Sequence, residues 1–416
     1  MAVIMRGTLP AQAIGVLILP ILARNYDPIA FGHFQLFQSI VNFLLFGASL
    51  RLELLILRAD DDELEPLLRA CLTLNLAFAA IVAAGFAVVQ LTQVAAIPFP
   101  LILPSLAVAF AGIVQSQSYL LLREERFATL GTLKLKQSVA YATVALALAF
   151  VWPTLDGIII ADVVGRAATF AALWRHQIAC GHARFVRPAS IGNTWKFLVA
   201  HRAQPIIALP GVVMNATAAA LMPINFFAAY GASVAGQFAL VERGLGLPVA
   251  MVVFAMLQVY SSRLSALHRA RDAGLARFTR RTVTITAAIA LVPAVIAWWI
   301  LPSLFVFVFG PAWAMAGKMA QIMVPAYWLT FAGGSINMTF MTLGHNRLQT
   351  GWEFGYLVCM SAVWVAAAVL HLDALGTITA FSIALSLSHV SFIVLALWST
   401  HRMARHNSEM ALPAVG

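Results

Sequence analysis

Charged side chains are scarce in this 416-residue sequence: Asp, Glu, Lys and Arg together make up 10% of it. A soluble domain carries about 25%. A chain that is also 62% hydrophobic has too little polar surface to cover a soluble fold, so it reads as a polytopic membrane protein. Cysteine is nearly missing as well. Cys71, Cys180 and Cys359 lie far apart, with no CxxC and no His/Cys pairing at zinc spacing. Neither a disulfide framework nor a structural metal is therefore expected, and nothing in the pattern calls for a cofactor. The first apolar run, 9–23, lacks a small-residue cleavage site and ends in Arg24-Asn25. It is expected to be a retained first helix and not a removed signal peptide.

What is there is a succession of apolar windows about 20 residues long, enough to cross the hydrocarbon core. Twelve are placed, near 6–23, 34–57, 68–90, 98–121, 134–152, 155–174, 205–228, 235–258, 282–308, 318–341, 352–371 and 376–398. Pro10, Pro20, Pro210, Pro223, Pro248, Pro293 and Pro325 fall within them, where bends are expected. With the N-terminus in the cytoplasm, 21 of the 26 Lys and Arg fall on cytoplasmic segments, and only Arg24 and Lys318 on the opposite loops. That asymmetry puts both termini in the cytoplasm. It also accounts for the net charge of +10, through topology and attraction to anionic headgroups, so nucleic acid is not expected as a partner. The outer loops are all short, leaving no room for an extramembrane catalytic domain.

Two stretches repeat. YDPIAFGHFQLFQS (26–39) matches YGASVAGQFALVER (230–243) at Tyr26/Tyr230, Gly32/Gly236, Phe34/Phe238 and Leu36/Leu240. FAGIVQSQSYLLLREERF (110–127) matches FAGGSINMTFMTLGHNRL (331–348) through Phe-Ala-Gly and through Arg126/Arg347. The second and eighth spans, and the fourth and tenth, are thus counterparts. The expected fold is all-α, two pseudo-symmetric six-helix bundles around a central cavity, as in parallel-repeat transporters. Its parts would be 1–175, a basic cytoplasmic linker 176–204, 205–400 and a cytoplasmic tail 401–416.

Charges inside spans mark candidate sites, since each costs about 2.5–3.5 kcal/mol at a helix centre. Arg51 stands near the cytoplasmic end of the second span with Glu53 beside it. Asp162 and Arg166 are four apart in the sixth, spaced to pair along one helix face. Glu242 and Arg243 are adjacent in the eighth, where they point about 100° apart. The plainest reading of Asp162–Arg166 is a self-neutralised structural pair. Arg51 could snorkel to the headgroups or line an inner cavity, while Arg243 is too deep to snorkel easily. Arg51, Arg166 and Arg243 are the substrate-binding candidates, because the planar arginine fork binds oxyanions bidentately. Glu53, Asp162 and Glu242 could hold the arginines or couple transport to H+ or Na+.

The order of motifs resembles a family. LPILARNYDPIAFG and LRLE are similar to the opening of oligosaccharide flippases of the polysaccharide-transport group, at Pro20, Arg24, Tyr26, Pro28, Phe31, Gly32 and 50–53. AGQFALVERGLGLP resembles their second-half motif at Gly236, Phe238, Leu240, Arg243 and Pro248, and FGPAWAMAG their outer loop. The resemblance implies a Wzx-type flippase of the multidrug/oligosaccharidyl-lipid/polysaccharide exporter superfamily, in a bacterial inner membrane. It would move undecaprenyl-diphosphate-linked oligosaccharides from the cytoplasmic to the periplasmic leaflet, for O-antigen (lipopolysaccharide), capsule or exopolysaccharide synthesis. A polysaccharide polymerase and a chain-length regulator are the protein partners it admits. Glu242 departs from the pattern, where relatives often carry a neutral residue.

A cation-coupled drug exporter of the same superfamily is the nearest rival, but it would favour a net acidic cavity. A polymerase or ligase would need a sizeable periplasmic loop. No GxSxG elbow or nucleophile–base constellation is found, and the histidines mostly sit at span ends. Bond-making catalysis is therefore not expected.

Overall fold

The computed structural model describes residues 2–93, 98–100, 102–182, 187–272 and 274–411. Part of the basic linker, 183–186, and the end of the tail, 412–416, lie outside the described residues. Every regular element among those described is helical. Eight segments are long and apolar enough to cross a membrane, and the remaining expected spans are shorter or interrupted helices. The longest connected run, Ala220–Arg269, holds parts of two expected spans.

The interruptions have local causes. Helix α1 (Ala2–Leu17) stops one residue before α2 (Leu19–Asn25), which begins with Pro20 in its first turn. There the missing N–H of proline leaves no hydrogen bond unmade. Helix α3 (Pro28–Leu45) has Asp27 as its N-cap, whose carboxylate accepts from the Ala30 amide at 2.7 Å, and Pro28 in its first turn. The Tyr-Asp-Pro stretch is thus a helix start. The second expected span, 34–57, is not one helix. After α3 the chain turns through 46–51, and Leu50 and Arg51 take left-handed conformations with φ of 53° and 62°. A 3-10 turn, Leu52–Leu57, follows.

The first compact unit, Met1–Ala239, continues with α4 (Asp61–Thr92), α5 (Ile102–Arg123), α6 (Phe127–Val151) and α7 (Leu155–Ala179). Helix α6 starts well before the expected 134, which draws Lys134 two turns into the helix. Helix α1 packs on α6, α6 on α7, and α5 on both α4 and α7. The linker holds α8 (Ile191–Ala200), capped by Ser190 and packed on α4. Its Ile191, Trp195 and Val199 recur at helical spacing and stay exposed, a face suited to a membrane interface.

Helix α9 (Ala203–Val241) carries one non-helical residue, Gly231, at φ 80° and ψ 174°. That conformation favours glycine, and it is where the seventh and eighth expected spans divide. Beyond it, 232–239 packs on α3 with no room for side chains. A Cβ on Gly32 would fall inside the Ala232 carbonyl, and a Cβ on Gly236 inside the Pro28 carbonyl. The pairs 28/232 and 32/236 share the repeat offset of 204. Such reciprocal contact is what a local two-fold relation between the segments produces.

The second unit, Leu240–Gly416, holds α10 (Leu247–Arg269), α11 (Leu275–Phe309), α12 (Ala314–Gly334), the short α13 (Thr339–Thr342), α14 (Asn346–Val369) and α15 (Ala374–Ala411). Helix α12 is its hub, packed on α10, α11 and α15. Pro248, expected as a bend, sits in the first turn of α10, while Pro293 and Pro325 are inside α11 and α12. At one end of the unit Tyr260, Leu264, Phe340 and Phe392 form an apolar core. Tyr260 Oη is satisfied there by Thr279 and Thr339 at 3.0 and 2.9 Å. Ile289, Val292, Trp299 and Phe307 of α11 are exposed, as lipid-facing side chains are. The division into these units lies at 239/240, a different place from the linker that separates the expected halves.

Candidate functional site

The left-handed pair at 50–51 sets the first group. Two consecutive non-glycine residues there cost about 1–3 kcal/mol each, and they lie beside a charge cluster. Arg51 Nη1 lies 3.3 Å from Glu53 Oε1, with the Glu53 side chain wholly buried and that of Arg51 17% exposed. Glu53 accepts further bonds from Ser49 Oγ and, at 3.3 Å, from Gln115 Nε2 on α5. The carboxylate therefore has three donors, as a buried charge requires. Arg51 Nε is buried without a hydrogen-bond partner. Downstream, Arg123 Nη1 donates to the Ile56 carbonyl at 2.9 Å and its Nη2 to Asp61 at 2.7 Å, tying the 3-10 turn to α5.

The second group is on α7. Arg166 Nε donates to Asp162 Oδ2 at 2.7 Å, with each side chain about 10% exposed. Gln38 of α3 donates to the other oxygen at 3.2 Å. The pair thus forms along one helix face, and it is held from a second helix. The bridge is made through Nε of Arg166, and among the described residues no hydrogen bond engages its terminal nitrogens, which line the cavity side of the fork as donors for a ligand.

Arg166 lines a cavity of 270 Å³ between α5, α6 and α7. Gln115, Ser118, Lys134, Gln137 and Thr169 supply the rest of its polar wall, and among the described residues no Asp or Glu lines it. Gln115 belongs to both groups, since it also binds Glu53. Sequence reasoning missed Gln115 and Gln137 and assigned Lys134 to a cytoplasmic segment. Uncharged amides inside apolar helices were the available signal.

Solved structures resemble the chain along nearly its whole length. A multidrug resistance transporter of the MATE family and MOP superfamily, in an inward-facing conformation, aligns with a TM-score of 0.68 at 11% identity. The alignment covers 97% of this chain and 100% of that one. The lipid II flippase MurJ, inward closed, aligns with a TM-score of 0.71 at 11% identity, covering 99% of this chain and 91% of its own. An outward-facing multidrug resistance MATE transporter gives 0.57 at 14% identity, over 98% and 97%. The chain has the fold of these transporters. No family model and no curated protein matches its sequence.

In the second unit, Glu242 opens a π-helical turn, Glu242–Gly246, that joins α9 to α10. The widened turn was not expected from the sequence, and it replaces the regular 100° step between Glu242 and Arg243. Glu242 and Arg243 are both half-buried in it. Tyr327 of α12 donates to Glu242 Oε1 at 2.6 Å. Tyr327→Phe is expected to destabilise this unit by about 1–3 kcal/mol, the cost of a charged acceptor losing its donor. Glu242→Gln keeps an acceptor and should cost less. Thermal unfolding of the purified variants in detergent checks both. Among the described residues no three His, Cys, Asp or Glu side chains come together as a metal site would require.

Proposed function

We propose that this chain is a flippase for a lipid-linked, diphosphate-bearing oligosaccharide, the undecaprenyl-diphosphate repeat unit implied by its Wzx-like motifs. One observation carries the reading. Among the described residues, the cavity inside the first unit is lined by Arg166 and Lys134 and by no Asp or Glu. A cationic drug would find no carboxylate in this wall, whereas a diphosphate would meet fixed donors. Arg51 is the second candidate in that unit, with its side chain partly exposed, and Arg243 is the candidate in the other. Binding would use the arginine forks on phosphate oxygens, and alternating access would carry the headgroup from the cytoplasmic to the periplasmic leaflet while the prenyl tail stays in lipid. The likeness to a lipid II flippase supports the class of cargo, and the likeness to MATE transporters supports the exporter alternative. The proposed symmetry of the halves, 1–175 and 205–400, draws on the reciprocal Gly32 and Gly236 contacts.

The test is deletion of the chain in its native host, followed by extraction of lipid-linked oligosaccharides. Undecaprenyl-diphosphate repeat units should accumulate on the cytoplasmic side. Wild type should clear them, and Arg243→Ala should do so at least tenfold more slowly. Clearance by both would keep the flippase and demote Arg243 to a structural residue. No accumulation, together with raised sensitivity to cationic drugs, would establish the exporter.

A further inference from the structure

A larger basic hollow lies elsewhere, within the second unit, where α14 begins and α15 nears its end. Its volume is 960 Å³, and its walls include His345, Arg347, Leu348, Trp398, Arg402 and Arg405. Positive-inside topology asks only for basic residues near a helix end. It does not ask for three arginines around one hollow with no Asp or Glu among the described residues of its wall. Arg402 lies over the Trp398 ring, 5.6 Å from its centroid, which holds the guanidinium at the cavity edge. Helix α14 starts at Asn346 with His345 as N-cap and no side-chain cap bond. The Leu348 amide donates to the His345 carbonyl at 3.0 Å, so the amides of Asn346 and Arg347, both in the wall of the hollow, are the ones this helix start presents. His345 Nδ1 is paired with Ser399 Oγ at 2.6 Å. Burial, and then the charges of Arg402 and His268, push its imidazole below the ordinary value.

Arginine forks and a helix N-terminus together make a site for phosphate oxygens. The indole of Trp398 and the side chain of Leu348 give the hollow apolar walls, and its volume is that of a site for a drug-sized molecule. We propose that this hollow is a second anion site, which binds the phosphate-bearing headgroup of an anionic lipid on the basic face of the membrane. Basic pockets between membrane helices are suited to such headgroups. The proposal stands apart from the transported cargo, because it concerns residues outside the cavity of Arg166.

Native mass spectrometry of the full chain in neutral detergent provides the test, with phosphatidylglycerol, phosphatidylcholine and inorganic pyrophosphate as probes. Wild type should retain phosphatidylglycerol and not phosphatidylcholine. Arg347→Gln/Arg402→Gln should retain at least tenfold less, while Arg263→Gln, an exposed cation of α10 outside the hollow, should match wild type. Where the double variant fails to fold, Arg402→Lys and Arg347→Gln singly carry the comparison, and each should lie between wild type and none. Equal retention by wild type and the variants overturns the proposal. Pyrophosphate held as well as phosphatidylglycerol would assign the site to a soluble phosphate and overturn the lipid headgroup.

Discussion

Arg166→Ala is expected to slow clearance of the lipid-linked substrate by about tenfold to a hundredfold, the loss of one or two charge-assisted bonds at about 1.5–3 kcal/mol. The same change also leaves Asp162 buried without its cation, and breaking a buried pair from one side costs about 3–5 kcal/mol. A bare loss of transport would therefore not separate binding from folding. Asp162→Leu/Arg166→Met removes both charges together, and such a swap is often neutral for stability. That double variant should reach the membrane in wild-type amounts and still fail to transport. Arg166→Lys keeps a charge but loses the planar fork and should fall between. Wild-type transport by the double variant would reduce the pair to a self-neutralised structural feature. Fluorescence-detected size exclusion, run beside the transport assay, reads folding in each case.

The reason to expect a binding role is the division of labour within one guanidinium. Asp162 takes Nε at 2.7 Å, and Gln38 takes the second carboxylate oxygen. The carboxylate is thereby satisfied without using the outer edge of the fork, and that edge belongs to a wall with Lys134, Gln115 and Gln137. A structural pair would also need a third partner such as Gln38, so it is the cavity beside the fork that points to binding.

Spacing made the Asp162–Arg166 contact legible, because four residues bring two side chains onto one helix face. The same rule said nothing of Gln115, which reaches Glu53 across 62 positions. That the chain is a bundle of apolar helices was legible because hydrocarbon thickness sets a length that an apolar window must meet, although eight helices and not twelve have that length in one piece among the described residues. Where helices stop was less so. The left-handed turn at Leu50-Arg51 sits in a sequence of good helix formers, and only packing puts it there. The π turn at Glu242–Gly246 is similar, although its two glycines were a cue. The surroundings of Lys134 were hidden for a different reason. A charged residue was read as a helix end, yet α6 begins seven residues earlier and carries Lys134 into the cavity wall. Charge marks a boundary only where no polar cavity can receive it.

Substitution of the two crossing glycines should have the largest effect on the fold. Gly32→Ala and Gly236→Ala each place a methyl group inside a backbone carbonyl of the facing segment, and neither carbonyl can rotate away without breaking its helix. Overpacking of this kind costs typically about 1–3 kcal/mol, and a rigid backbone neighbour puts it at the upper end. Close approach at small residues is also a main source of attraction between membrane helices. Each single variant should therefore lose most of its monodisperse peak at a temperature where wild type keeps it. The double variant gives the sharper result. The two contacts are reciprocal, so the separation forced by one methyl makes room for the other. Gly32→Ala/Gly236→Ala should then cost little more than either single change, with a coupling of about 0.5–3 kcal/mol between them. Additive losses would mean that the two glycines answer to independent contacts, and the local two-fold relation between 26–39 and 230–243 would have to be given up.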